Sequence, residues 1–302
     1  MTSPDYSTTR RLTSEKPACF DTPVDGMQTL LKTPDSEQKI AEGGLRLHGL
    51  YKSSSENKPL ITVVTVVYNG AEFLEETIKS VIEQTYDNVE YIIVDGGSTD
   101  GTLEIIKKYD HAIDYWVSEP DKGIYDAMNK GIDLGSGEWI NFMNAGDFFY
   151  ASETLLKVFN SKNTFTGCHV IYGDHEVRYP NKRKIVKAGK VKNLWKGSQF
   201  CHQSAFVKLG YHKINKFNLN RKIAADFDFF AEIKSQGLDF NKAYYCISSV
   251  SSGGVSDTNR EFVFREWCLT AINNKLAPRY RIIINYYVLV ASLKIKNKIK
   301  NF

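Results

Sequence analysis

Three short segments carry residue types suited to binding a hydroxyl-rich, anionic ligand. Asp95 is followed by Gly96, Gly97, Ser98, Thr99 and Asp100. A carboxylate so placed can accept hydrogen bonds from a nucleobase imide or a ribose hydroxyl, and the glycines let a ligand approach the backbone. The same residues equally make an ordinary strand-to-helix turn with a cap. In Asn144-Ala145-Gly146-Asp147, a carboxylate can hold a hard divalent cation that bridges diphosphate oxygens and neutralises a leaving nucleoside diphosphate. A plain turn is the competing reading there too. The third segment is Tyr68-Asn69-Gly70.

The elements that would position these segments are legible. Leu60 to Val67 is a nearly continuous apolar, β-branched run, as in a strand buried on both faces. Phe73, Leu74, Ile78, Val81 and Ile82 then recur at helical spacing. Val89 to Val94 reads as a second strand, and Thr99-Asp100 can cap a helix carrying Leu103, Ile105 and Ile106. Ile113 to Val117 is a third strand, Gly123 to Leu134 a helix, and Trp139 to Met143 a fourth strand. Such alternation predicts parallel strands with right-handed crossovers. In open sheets of this kind ligands bind beyond the carboxyl ends of the strands, and all three segments fall there.

The second half is more mixed. Val170 to Tyr179 and Lys184 to Ala188 predict a hairpin turning at Pro180-Asn181. Ala205 to Lys208 and Ala243 to Val250 read as strands. Ala224 to Lys234 reads as a helix opening with Asp226, and Glu261 to Ile272 and Tyr280 to Lys294 as closing helices. Residues 1 to 57, with Pro4, Pro17, Pro23 and Pro34, form an N-terminal extension, partly irregular. A short docking helix is expected within Gln28 to Leu50, and Ser53 to Lys58 reads as a linker.

The chain's composition, 42% hydrophobic and 25% charged, is that of a globular protein. Thirty-nine basic against 35 acidic residues leave +4, too mild to indicate nucleic-acid binding. Cys19, Cys168, Cys201, Cys246 and Cys268 are scattered, which argues against a disulfide framework or a zinc site and for a reducing compartment. Met1 to Phe20 lacks an apolar signal core, and no apolar run is long enough to span a bilayer. A cytoplasmic location is therefore expected.

Pro59 to Gly70 together with Ile93 to Gly101 resembles the opening of a family 2 glycosyltransferase with a GT-A fold. Asp121-Lys122-Gly123-Ile124-Tyr125-Asp126-Ala127-Met128-Asn129-Lys130-Gly131 and Gly137-Glu138-Trp139-Ile140 continue the match in order. The likeness spans roughly residues 58 to 257 and is greatest to bacterial polysaccharide-assembly transferases of the colanic-acid type. It implies an α/β fold with a mostly parallel, Rossmann-like sheet flanked by helices. Residues 58–150 would form the nucleotide-sugar half, 151–257 the acceptor and catalytic half, and 258–302 a C-terminal helical extension with a basic tail.

The resemblance also implies roles. Thr65, Tyr68 and Asp95, with Gly96 beside them, would hold base and ribose, and Asp121 and Lys122 would lie near the base or diphosphate. Asn144 to Asp147 would be the DxD-like element, with Asp147 the ligand of Mg2+ or Mn2+. Asn144 and Gly146 stand where carboxylates are usual, which weakens the expected metal affinity. Asp226 would be the catalytic base, because a sugar hydroxyl is a poor nucleophile until a carboxylate takes its proton; Asp228 is its rival. Inversion at the anomeric carbon follows from the family. His202, in Cys201-His202-Gln203, would touch the diphosphate or the metal, with a structural histidine as the alternative. Ser251-Ser252-Gly253-Gly254-Val255-Ser256 would be a mobile loop closing over the donor, or a plain linker.

The implied partners are a nucleotide-diphosphate sugar and a glycan or lipid-linked glycan acceptor. At the C-terminus, aromatic and aliphatic residues from Tyr280 onward precede Lys294, Lys296, Lys298 and Lys300. Such a helix can lie on the inner face of a plasma membrane or pack on its own protein; the latter is favoured. Two rival functions are a non-catalytic sugar-nucleotide or glycan binder and a dinucleotide oxidoreductase. The second lacks the glycine fingerprint after its first strand.

Overall fold

The computed structural model describes residues 5–17, 29–55, 57–160 and 166–300. Cys19 and Gln28 lie outside that set.

The first half is the expected alternation. Strand β2 (Ile61–Val67) is buried at all seven positions. Ile61, Val63 and Val67 pack on the side of helix α1 (Ala71–Ile82), and Val64 and Val66 on the side of α3 (Ile124–Leu134). Strands β3 (Val89–Asp95), β4 (Tyr115–Ser118) and β5 (Trp139–Phe142) lie parallel in the order β4-β3-β2-β5. Helix α2 (Thr102–Lys108) connects β3 to β4. A Cβ at Gly131 would sit 2.4 Å from the Val64 side chain, so glycine is what lets α3 lie so close on β2.

The second half continues the same sheet with mixed polarity. Strand β9 (Ala205–Lys208) runs antiparallel between β5 and β7 (Val170–Tyr179), and β10 (Phe240–Ser251) pairs parallel with β7. Strand β6 (Phe148–Phe149) adds to β10, and β8 (Lys182–Val186) completes the hairpin with β7. Pro180 and Asn181 form its turn, as expected. Helices α4 (Thr154–Phe159), α5 (Leu209–Ile214), α6 (Ala225–Ser235), α7 (Val255–Thr258), α8 (Arg260–Asn273) and α9 (Arg279–Lys300) complete the chain. Because β9 reverses direction twice across the sheet, the carboxyl ends of β2, β3, β4, β5, β7 and β10 share one rim.

The N-terminal segment departs from expectation. Over residues 29–50 there is no α-helix. Ala41–Gly43 forms β1, antiparallel to β4 at the sheet edge, and Leu45–His48 is a 3-10 turn. Gly43 and Gly44 explain this: Trp116 and Asp110 fill the space a Cβ at Gly43 would need, and Gly44 has a φ of 101°. The segment is fastened by buried charge. Arg46 meets Glu90 at 2.6 Å and also donates to the Leu134 carbonyl. Glu90 further accepts from Thr62 Oγ1 and from the backbone N–H of Ser136. Burial raises a carboxylate's proton affinity, but these donors hold Glu90 below its ordinary range. Lys52, 2% exposed, donates to the Thr8 carbonyl.

Candidate active site

At the rim of the first half, two loops lock each other. Asn69, with a φ of 50°, follows Tyr68 at the end of β2. Its side chain accepts from the Thr99 N–H at 2.9 Å, and its own N–H donates to Ser98 Oγ at 2.7 Å. Asp100 accepts from Thr102 Oγ1 at 2.6 Å and from the first turns of both helices, at Ala71 N and Thr102 N; these bonds, the Thr102 hydroxyl first, hold its carboxyl below the ordinary range. The N-cap positions themselves are Gly70 and Gly101; of the expected Thr99-Asp100 pair only Asp100 serves the helix starts, one residue further out.

Asp95 is fully buried. Its carboxylate accepts from the Ser98 N–H and hydroxyl and from Ser118 Oγ at 2.6 Å. It shapes the loop and presents no open acceptor to the rim. Thr65 is also placed otherwise than expected. It is fully buried, with Oγ1 2.9 Å from the Tyr91 hydroxyl and donating to the Met143 carbonyl at 2.7 Å. Strand alternation turns it into the core on the α1 side, away from any ligand.

What does face outward is Tyr68, 68% exposed, standing beside Gly96 and Asp121. A Cβ at Gly96 would lie 2.5 Å from Asp121 Oδ2 and 3.3 Å from the Tyr68 ring, so glycine keeps a trough open between them. Asp121 Oδ1 accepts from the Gly123 N–H, leaving Oδ2 toward the trough. The Lys122 side chain is exposed next to it. An aromatic face, an acidic acceptor and a cation suit a base and its phosphates.

The second cluster joins four distant segments. Asn144 follows β5, and its Nδ2 lies 3.3 Å from His202 Nε2. His202, in the 3-10 turn before β9, has Nδ1 3.2 Å from Asp226 Oδ2. Asp226 is the second residue of α6, where the helix's free N–H groups favour a negative charge. The Tyr125 hydroxyl on α3 donates to the Ile223 carbonyl and stands 3.4 Å from Asp226 Oδ1. Asp228, the rival base, accepts from Arg221 at 3.1 Å and Thr270 Oγ1 at 2.8 Å, which leaves Asp226 as the carboxylate facing the cluster.

Asp147 accepts from Gln203 Nε2 at 2.7 Å and the Ser251 N–H at 3.0 Å. Burial outweighs these bonds and pushes its carboxyl above the ordinary range. Arg178, at the end of β7, donates to the Gly146 carbonyl and to Ser251 Oγ, and its guanidinium lies 3.7 Å from the centre of the Phe148 ring. The Asn144–Asp147 turn is therefore tied to the loop that carries Gly253 and Gly254. Asn144 Oδ1 is buried with no hydrogen-bond partner in the protein. Among the described residues no group of three His, Cys, Asp or Glu side chains is gathered to cage a cation. Cys201 is no nucleophile here, since burial pushes its thiol far up.

Residues 62–235, over half of the chain, match the model for glycosyl transferase family 2. This chain belongs to that family. The glycosyltransferase is 32% identical over 219 residues to a PGL/p-HBAD biosynthesis glycosyltransferase of Mycobacterium bovis (strain BCG / Pasteur 1173P2), covering 68% of this chain and 84% of that one. A Haemophilus influenzae relative, an uncharacterized glycosyltransferase, is 30% identical over 221 residues, covering 70% and 86%. Among solved structures, Staphylococcus aureus TarS 1-349 in complex with UDP superimposes with a TM-score of 0.57 at 16% identity, over 76% of this chain and 70% of that one. The mannosyltransferase PcManGT of Pyrobaculum calidifontis, in complex with GDP-Man and Mn2+, gives 0.55 at 17% identity, over 79% and 76%. The transferase thus has the GT-A fold.

Three residues around this cluster carry no role in the sequence reading. Tyr125 lies within the Asp121–Gly131 segment, and Gln203 stands beside His202. Nothing in the alternating β7 sequence marks Arg178, whose partners come from β10 and the turn after β5.

Proposed function

We propose that this glycosyltransferase moves a sugar from a nucleoside-diphosphate donor to an acceptor hydroxyl with inversion, in the assembly of a bacterial surface glycan. The observation that carries the reading is the chain of contacts from Asn144 through His202 to Asp226, beside Asp147. It sets a would-be general base next to a would-be phosphate and cation site.

In this reading Tyr68, Gly96, Asp121 and Lys122 hold the nucleotide, and Asp95 shapes the loop beneath it. The donor set fits a divalent ion, Mg2+ or Mn2+: Asn144 supplies an unpartnered amide oxygen, Asp147 a carboxylate and His202 an imidazole. One carboxylate is few, so the donor's phosphate oxygens would have to supply further ligands. The ion would neutralise charge on the departing diphosphate. Asp226 takes the proton of the acceptor hydroxyl, and His202 and Tyr125 fix its orientation. Ser251, bonded to Asp147, lets the glycine-bearing loop close with the donor in place.

The test is incubation with UDP-, GDP- and dTDP-sugars and glycan acceptors, with and without Mn2+, reading the product's anomeric configuration by NMR. Transfer that inverts configuration and stops on chelation is expected. A retained configuration or chelator-insensitive turnover overturns the corresponding part.

A further inference from the structure

Helix α9 presents two opposite faces. Inward, Ile282 and Val290 are buried, Asn285 Nδ2 donates to the Lys196 carbonyl at 3.0 Å, and Arg281 stacks 4.8 Å above the Trp195 ring. Outward, Tyr280, Ile284, Tyr287, Val288 and Ile295 are each more than half exposed. From Tyr280 they recur at i, i+4, i+7, i+8 and i+15, which places them on one helical stripe. The sequence reading favoured packing on the protein. Packing accounts for one face and leaves the other without a partner among the described residues.

The charge on α9 itself and on the turn beneath it is one-sided, while the neighbouring α8 carries one exposed acid, Glu261, and buried Glu266. No acidic residue follows Glu266, whereas seven lysines and arginines do. Arg281, Lys294, Lys296 and Lys298 on α9 are exposed. The 3-10 turn Val191–Lys196, on which α9 rests, belongs to a second acid-free stretch, from Val177 to Ala225. That stretch includes β8 and its exposed Lys182, Arg183 and Lys184. Two acid-free regions therefore meet at the inner face of α9. No helix among the described residues is long and apolar enough to cross a membrane.

We propose that the outer face of α9, with its flanking lysines and arginines, docks the protein onto an anionic lipid surface, lying in the interface without spanning it. Aromatic and aliphatic side chains enter the boundary between headgroup and acyl chain, and basic side chains meet the anionic headgroups. The place of α9 gives the docking a use. Turn Val191–Lys196 packs through Leu194 on Ala224 and Phe227, which flank Asp226. The stripe is thus two packing layers from the proposed base, and an acceptor carried on a lipid would arrive beside it. This use rests on the proposed function; the docking itself does not.

The experiment is co-sedimentation of the full chain with phosphatidylcholine vesicles, pure or containing about one-third phosphatidylglycerol. Binding is expected only to the anionic vesicles and to weaken with salt. The double substitution Ile284→Glu/Tyr287→Glu should reduce it roughly tenfold or more, and Lys294→Glu/Lys298→Glu severalfold. Both pairs are exposed, so thermal unfolding and turnover on a soluble acceptor should stay unchanged. Binding equal on neutral vesicles, no binding at all, or binding untouched by the stripe variant overturns the proposal. So does light scattering that shows the stripe variant abolishing a dimer while vesicle binding is absent. Docking that persists when turnover is undetectable would count against the proposed function and leave the membrane surface standing.

Discussion

Asp95 and Asp226 both stand at the ligand rim, and they are used in opposite ways. Asp95, at the end of β3, is buried and saturated by Ser98 and Ser118. Asp226, at the start of α6, is partly exposed and shares its oxygens with His202 and Tyr125 at long range. The same contrast separates two sets of acceptors. Asp95, Asp100 and Glu90 are saturated, fixing loops and fastening the N-terminal segment. Around the second cluster acceptors are less used, down to the unpartnered Asn144 Oδ1. A saturated carboxylate is a structural part; one held loosely can take a proton from something that arrives.

Substitutions sharpen this contrast, and the largest effect belongs to the open carboxylate. Asp226→Asn should lower kcat by about a thousandfold, within the range for a lost general base, with donor affinity by calorimetry and the melting temperature near those of the wild type. Wild-type turnover would remove Asp226 from the chemistry. Asp228→Ala is the control: it should keep turnover and lose stability, because Arg221 and Thr270 lose their acceptor.

Asp95→Ala should behave the other way round. Stripping the acceptor from the Ser98 N–H and hydroxyl and from the buried Ser118 hydroxyl should destabilise the fold by about 2–3 kcal/mol, read by urea unfolding. If instead stability holds and only nucleotide affinity falls, the division between the two carboxylates fails.

A third test uses pH. Burial pushes the Asp114 carboxyl up to about 6, with Lys52 opposing. The folded protein therefore holds this proton more tightly than the unfolded chain, whose aspartates titrate near ~3.9. Stability contributed by the protonated form is complete below ~4 and is lost as pH rises through about 6, by about 3 kcal/mol. Asp114→Asn should flatten that slope in unfolding curves taken from pH 4 to 7; an unchanged slope places its origin elsewhere.

The smallest effect is expected at the underused end. Asn144→Asp adds a charge beside Asp147 and should tighten Mn2+ binding by roughly tenfold, measured by titration with nucleoside diphosphate present. Unchanged affinity would mean that Asn144 does not face the ion.

How far the sequence reached follows the same division. The parallel half was legible because each strand is a short apolar run with its loop chemistry adjacent in sequence: Asp95 and Ser98, Asn69 and Thr99. Thr65 was misread because a motif match does not say which face of a strand a residue takes. That residues 29–50 form no α-helix follows from Gly43 and Gly44 and from β4, which supplies the pairing edge. The second cluster was legible as residue types and not as contacts. His202 and Asp226 are 24 positions apart, and Gln203 and Asp147 are 56. No local pattern states that Arg178 reaches the Asn144–Asp147 turn.

The Glu90 clasp bears on the order in which the molecule is made. Arg46 leaves the ribosome well before Glu90, and its carbonyl partner at Leu134 comes later still. Lys213, which reaches back to Thr29, is later again. The segment synthesised early thus gains its clasp late: until Glu90 and Leu134 emerge, Arg46 has only the Leu31 carbonyl among the partners it keeps in the fold.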